Sequence, residues 1–250
     1  MISNQVIETI LDHRSVRRYT SQEVDDATLE TIVRAGQQAP FAYQMYSIIL
    51  SRDRKKNAFR APLSFTICVD VHKLERIMQK RGWKTGTNDL TLVLFGLEDA
   101  SYMAQNMVIA ARSLGLGSCF IGYPLAKVEP LATTLRLPPR VFPVVQLVMG
   151  YPDEDFPPRP RYPLDFTLFE DTYPVLTDEM VERAMKQMDD GYLAQDYYRK
   201  LDAKLPLQDR EESFSYKDYS WTEHISRKAG QYSRSLEEQR AQLALRGFNV

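Results

Sequence analysis

The chain has little cysteine: Cys68 and Cys119 are the only two among 250 residues. No disulfide framework is expected, and a reducing cytoplasmic setting is the reading that fits. Histidine is almost as scarce. His13, His72 and His224 are scattered, with no HExxH and no Cys/His ligand spacing, so no metal site is expected. An excess of one charge is missing too. With 32 basic and 33 acidic residues the net charge is −1, which argues against nucleic acid or an anionic membrane as a partner. No apolar run approaches the about 20 residues that span a bilayer. The first residues, MISNQVIETILDH, carry acids and no basic n-region, so they read as a helix and not a signal peptide. There is no GxSxG elbow and no P-loop. GLGSCFIG (115–122) lacks the third glycine of a dinucleotide fingerprint and follows a helix where that fingerprint follows a strand.

What remains is an ordinary globular composition, 44% hydrophobic and 26% charged, long enough to bury a sizeable core. Val6, Ile7, Ile10 and Leu11 share one face of a helix over 4–12. A second helix starts near Asp26 as N-cap, buries Leu29, Ile32 and Val33, and ends by Pro40. MYSIIL (45–50) and SFTICVD (64–70) read as strands, with the strongly basic SRDRKKNAFRAP between them. Over 97–117 the stripe Ala100, Met103, Ala104, Met107, Ala111 and Leu114 predicts a helix closed by Gly115. SCFIGY (118–123) and VFPVVQLVMGY (141–151) read as strands, and PDEDFPPRPRYP (152–163) as a proline-rich loop. Beyond about residue 176 the pattern is helical and more polar, with capping-box signatures at SWTE (220–223) and SLEE (235–238). Strands interleaved with helices predict a sheet covered by helices.

The chemistry concentrates in LDHRSVRRYTSQEV (11–24), where Arg14, Arg17, Arg18, His13 and Ser15 crowd one short turn. Two readings stand side by side: a solvated basic turn, or an anion site. Arginine offers a planar fork of donors that matches phosphate, and a serine hydroxyl and backbone N–H groups complete such a cage. RPRYP (159–163) is a second basic loop that would add guanidiniums if the fold brought it near.

In order along the chain, HRSVRRYT, AGQQAP, Gln44 before SIIL, APLSFTICVD, AQNMVIAARSLGLGSCFIG, MGYPDEDFPPRPRYP and YSWTEHI resemble the nitroreductase family of flavoproteins, closest to its larger oxygen-insensitive nitroreductase and NADPH–flavin oxidoreductase subgroup. The resemblance covers nearly the whole chain. It implies an α+β fold with a central mixed or antiparallel sheet in a three-layer α-β-α arrangement. It implies one FMN-binding domain over 1–250, with a core over 1–175 and a helical extension over 176–250 wrapping the mate of a homodimer. It also implies FMN at the subunit interface. By motif match, His13, Arg14 and Ser15 hold the FMN phosphate and ribityl end, and Arg17 lies under the N1/C2=O edge of the ring. Arg159 and Arg161 also reach the phosphate; Phe120, Ile121 and Gly122 lie against the ring; Gln44 stands at its edge. Arg234 matches a position near the substrate. Arg18 has no role and reads as solvated. Without the resemblance, Phe120 and Ile121 are equally plain strand core, Gln44 a turn residue, and Arg159 and Arg161 loop charges.

The implied activity passes a hydride from NADPH or NADH through flavin N5 to a nitroaromatic, quinone or flavin by a ping-pong route, with no catalytic nucleophile or acid–base pair. Alternatives are a specialised FMN reductase, for dehalogenation or enoate reduction, and a non-catalytic flavin sensor. Arg199, Lys200 and Arg227 are candidates for the 2′-phosphate of NADPH. The chain departs from the subgroup between SIIL and APLSF, where a helix and a glycine-glutamine element shrink to SRDRKKNAF. Lys55 or Asn57 is a candidate to replace that contact. Trp83 is open between a lid residue and, more common for a lone tryptophan, a satellite core residue.

Overall fold

LSFTICVD alternates large apolar residues (Leu63, Phe65, Ile67, Val69) with small or polar ones (Ser64, Thr66, Cys68, Asp70), the period of a strand with one apolar face. In the computed structural model, which describes residues 2–122, 124, 127–232 and 235–250, it is buried along its whole length as β2 (Leu63–Asp70). It lies between β1 (Tyr46–Ser51) and β4 (Val141–Gly150), and β4 in turn pairs with β3 (Gly117–Ile121). The order is β1-β2-β4-β3 and these four strands pair antiparallel, which is the expected α+β class.

The helices are α1 (Gln5–Leu11), α2 (Asp26–Gln37), α3 (Val71–Lys80), α4 (Asp89–Ser113), α5 (Val128–Thr134), α6 (Asp178–Ala194), α7 (Tyr197–Lys200), α8 (Trp221–Gln231) and α9 (Leu236–Leu245). The chain divides into two compact units, Met1–Phe156 with Leu236–Val250, and Pro157–Ser235.

In the first unit α4 covers one face of the sheet. Its stripe of Leu92, Val93, Ala100, Met103, Ala104, Met107 and Ala111 meets Leu63, Phe65, Ile67 and Val69 of β2. The helix begins earlier than its stripe suggested, at Asp89, because Asn88 caps it by accepting the Thr91 N–H at 2.9 Å. Gly96 had masked that continuity; in the fold it faces Val69. At the other end Gly115, at φ +80°, closes the helix as predicted, with the Leu116 N–H reaching the Ala111 carbonyl at 2.9 Å. Asp25, not Asp26, caps α2. The apolar face of α1 is not buried within the chain: Val6 and Leu11 are 60% and 56% exposed.

The opposite face of the sheet carries Cys119 and Val148, packed with Tyr19, Ala58 and Ala61 from coil and a short 3₁₀ turn. The last residues belong to this unit and not with the polar helices before them. Phe248 is buried edge-on against Phe142, with the Arg140 guanidinium 4.6 Å from its ring centre.

The second unit has a small core of Met188, Tyr192, Tyr198 and Tyr219. Its helix α8 starts where SWTE placed it, but not through a capping box. The Ser220 hydroxyl donates to the Asp189 carbonyl, and the Asp189 carboxylate accepts the Thr222 N–H at 2.9 Å. Glu223 turns away to pair with Arg227 at 2.7 Å. A carboxylate from α6 has replaced the local cap.

Candidate functional site

The arginine turn lies along the free edge of β3. Ser15 and Ser118 form a parallel bridge, and the Val16 N–H donates to the Ser118 carbonyl at 2.8 Å. The approach is close enough to require glycine at 117, where a Cβ would stand 2.4 Å from a Val16 methyl. On the turn's other side runs the segment after β4. The Thr20 N–H reaches the Tyr151 carbonyl, and the Asp153 N–H reaches the Arg18 carbonyl, both at 2.9 Å. The turn is thus a strand-like ribbon held between β3 and residues 151–155.

This placement brings Ser15 and Arg17 beside Cys119, and sets the whole turn next to Phe120, Ile121 and Gly122. Phe120 and Gly122 are exposed, and nothing occupies the space beside the Gly122 Cα. His13 is half-buried, its N–H donating to the Ile10 carbonyl. Arg14 reaches Asp12 at 2.8 Å and Asp155 at 2.9 Å; Asp12 also pairs with Arg112 of α4. The Arg17 N–H donates to Glu154 at 2.5 Å. Arg18 is exposed, as expected, with Asp153 at 3.8 Å.

Two groups that sequence reading passed over complete the floor. The Tyr19 hydroxyl donates to the Val16 carbonyl at 2.6 Å, and burial pushes its pKa well up. Burial likewise raises the Cys119 thiol, against the opposing pull of the Arg17 guanidinium and the Ser15 hydroxyl. Burial thus disfavours the Cys119 thiolate, the reactive form. The acids of PDEDF were the missed signal: three carboxylates stand immediately after a strand, each facing one arginine of the turn.

Gln44 is elsewhere. It precedes β1, the opposite edge of the sheet, at φ +56°. Three strand spacings separate the edges, about 14 Å, and the registers put it a further 20 Å or so along the strands. Its loop is pinned by Asp99, a buried carboxylate on α4 that accepts the N–H groups of Ala42, Tyr43 and Met45 at 2.5, 3.1 and 2.9 Å. One chain does not bring Gln44 to the arginine turn.

Arg159 and Arg161 lie in the second unit. The Arg159 guanidinium sits 4.0 Å over the Tyr197 ring and donates to Gln195 at 2.5 Å. Arg161 donates to the carbonyls of Arg159 and Pro160. Arg227 is buried and locked onto Glu212 and Glu223, so it is not available to a nucleotide phosphate. Arg199 and Lys200 are exposed. Arg234 lies outside the described residues. Asn57 is also committed: it is buried, and its amide donates to the carbonyls of Ser51 and Ala61 at 3.2 and 2.9 Å, holding the shortened loop together. Trp83 is 70% exposed, so it is not a core residue.

The chemistry of the donor set at the turn fits a flavin mononucleotide. A guanidinium, a hydroxyl and a histidine gather at one end, and a second guanidinium lies beside an exposed, partly aromatic strand edge. Among the described residues no group of His, Cys, Asp and Glu side chains could hold a metal ion, and no helix is long and apolar enough to cross a membrane.

A profile of the nitroreductase family matches residues 10–61 and 50–151, which span both the arginine turn and the sheet. The chain belongs to the nitroreductase family. A curated nitroreductase-type relative, FMN reductase (NADPH) of Bacillus subtilis, is 32% identical over 212 residues, 78% of this chain and 84% of its own. The oxygen-insensitive NADPH nitroreductase of Salmonella typhimurium is 29% identical over 201 residues, 75% and 82% of the two chains. Among solved structures, NfrA2 of B. megaterium superposes with a TM-score of 0.83 at 27% identity, covering 98% of both chains. The NADPH:FMN oxidoreductase of Vibrio harveyi, solved with NAD+, gives 0.76 at 25% identity over 98% of this chain and 99% of its own.

Proposed function

We propose that this nitroreductase-family chain is an FMN-dependent NAD(P)H oxidoreductase acting on a nitroaromatic, a quinone or free flavin. The observation that carries the reading is the ribbon of His13, Arg14, Ser15 and Arg17 laid along the edge of β3, beside Phe120, Ile121 and Gly122. When bound, FMN supplies the redox chemistry, taking a hydride from NAD(P)H and returning two electrons to the acceptor. The chain's own residues bind and orient. Arg14 and Ser15 offer charge-assisted and neutral donors to the phosphate. Arg17 places a fixed positive charge at the ring, which favours the reduced, more negative form. Cys119 and Tyr19, both neutral, keep the floor dry and uncharged. Phe120 and Gly122 leave a flat, open face on which donor and acceptor stack in turn, so ping-pong kinetics are expected. Arg159 and Arg161 are assigned to the phosphate on the family motif alone.

The working unit in this reading is a homodimer. A Gln44 at the far edge of one sheet reaches a flavin on β3 only if it comes from a second copy, and the exposed apolar face of α1 suits such an arrangement. The helical extension over 176–250 is then the part that reaches the mate, within one functional domain per chain.

An absorbance spectrum of the purified protein, before and after NADPH or NADH under nitrogen, tests the proposal. A flavin band that bleaches with either donor supports it, and the faster donor names the cosubstrate. No band after FMN is added would falsify it. Arg14→Ala should weaken FMN binding by about 1.5–3 kcal/mol, the value of a charged hydrogen bond. Arg17→Ala should lower the reduction potential of the bound flavin and leave its affinity less affected.

A further inference from the structure

The acids after β4 match the turn residue by residue. Asp153 faces Arg18, Glu154 accepts the Arg17 N–H, and Asp155 pairs with Arg14. The three contacts are not equivalent. Arg18 is 71% exposed and has no part in the proposed site. Glu154 accepts from the Arg17 backbone N–H, so it shapes the ribbon, and the Arg17 guanidinium lies beside the Cys119 thiol. Asp155 alone places a carboxylate on the guanidinium assigned to the phosphate.

Arg14 is held from two sides. Asp12 takes one nitrogen and is itself anchored by Arg112 of α4, so that contact is part of the scaffold. Asp155 takes the other nitrogen, and its side chain is 87% exposed. No second cation holds Asp155 among the contacts described for it. A carboxylate so exposed leaves with little loss of packing, and the ion pair it gives up is weak. A phosphate approaching Arg14 must displace it, since both are oxyanions competing for the same fork of donors.

Resting on the functional reading above, we propose that Asp155 is an internal competitor of the FMN phosphate for Arg14. It neutralises the cradle when the cofactor is away and lowers the affinity when it is present, so that FMN exchanges instead of staying locked in place. It is a positioning residue and takes no part in the redox chemistry.

FMN titrated into flavin-free protein, followed by quenching of flavin fluorescence, tests the proposal. Asp155→Asn should tighten FMN by roughly three- to tenfold, the scale of an exposed ion pair plus the repulsion removed. Asp155→Ala should do the same, since the mechanism needs only loss of the carboxylate. Asp153→Asn removes the same charge two residues away but does not touch Arg14, so it should change the affinity much less. Riboflavin, which lacks the phosphate, should bind wild type and Asp155→Asn equally. Inorganic phosphate should bind the flavin-free Asp155→Asn protein more tightly than flavin-free wild type, and equal affinity for the two overturns the proposal. Unchanged FMN affinity in both Asp155 variants overturns the proposal. So does equal tightening by Asp153→Asn, which would make the effect long-range charge, or equal tightening of riboflavin. A wild-type protein that binds no FMN defeats the functional reading itself, and this inference with it.

Discussion

The two units of this chain solve the same problem with opposite materials. The first buries aliphatic and methionine side chains between a sheet and one long helix, and its few buried charges, Asp99 and Arg246 among them, bind backbone groups. The second buries tyrosines around a guanidinium. Arg227 donates to the carboxylates of Glu212 and Glu223 and to the Leu205 carbonyl, while Tyr219 and Phe214 pack around it. An apolar core depends on volume, because its contacts are many, weak and undirected. A polar core depends on partners, because each buried donor or acceptor left unmatched carries a penalty. The site residues of the turn are carried by the apolar unit, where the ribbon is held by backbone hydrogen bonds and a rigid sheet edge.

The largest effect should come from the apolar unit. Phe248→Ala empties the space between Phe142 and Arg140 and should cost about 3–5 kcal/mol, the usual range for a buried phenylalanine. Urea unfolding measures it. A loss below 1 kcal/mol would mean that the last residues do not share the core. Next comes Asp99→Asn, which should cost about 2 kcal/mol because three N–H groups, that of Met45 buried, lose a charged acceptor. Amide exchange at Ala42, Tyr43 and Met45 should quicken with it, and unaltered exchange would remove Asp99 as the pin of the Gln44 loop.

The second unit should answer to polar changes instead. Tyr219→Phe keeps the ring and deletes the hydroxyl that accepts the Leu205 N–H at 3.0 Å and meets His224 Nδ1 at 3.0 Å. About 1 kcal/mol should be lost. The two tryptophans fall one to each unit, so Trp221 fluorescence in a Trp83→Phe background reports the second unit by itself. A silent Tyr219→Phe would show that this core, too, rests on volume.

The smallest effect should be a response to acid. Hydrogen bonds from Arg227 hold the Glu212 carboxyl down to about 2, against an ordinary 4.5. A depressed carboxylate stabilises the fold above its unfolded value and loses that contribution as pH falls toward the folded one. Trp221 emission should therefore drift between about pH 4.5 and 2, and Glu212→Gln should flatten the drift. A drift that persists in Glu212→Gln would assign it to another group.

Much of the fold was legible because local and global preferences agree. The alternating apolar residues of β2, the small-residue stripe of α4 and the glycine after it each point to the element that forms. The misreadings share a cause. SWTE looks like a capping box, yet the cap comes from Asp189, 31 residues away from Ser220. Arg227 looks like a free cation, yet Glu212 and Glu223 enclose it. In the sequence Trp83 is open between a lid and a satellite core residue, and its exposure removes the second. Each depends on what arrives from a distant part of the chain, which no local pattern records. The acids at 153–155 belong to the same class. In the sequence they are three loop charges; in the fold each meets a particular partner.

By itself, then, the order of residues determined the sheet-forming segments, the long helix and the concentration of arginines in one short turn. These follow from periodicity, composition and the fixed chemistry of arginine. Only tertiary structure decided that the turn lies along β3, that Gln44 stands at the opposite edge, and that Asp155 rather than Asp153 shares Arg14. Those are matters of register and strand order. They are set by pairings between segments that are apart in the sequence, where the energy lies in the match and not in either partner.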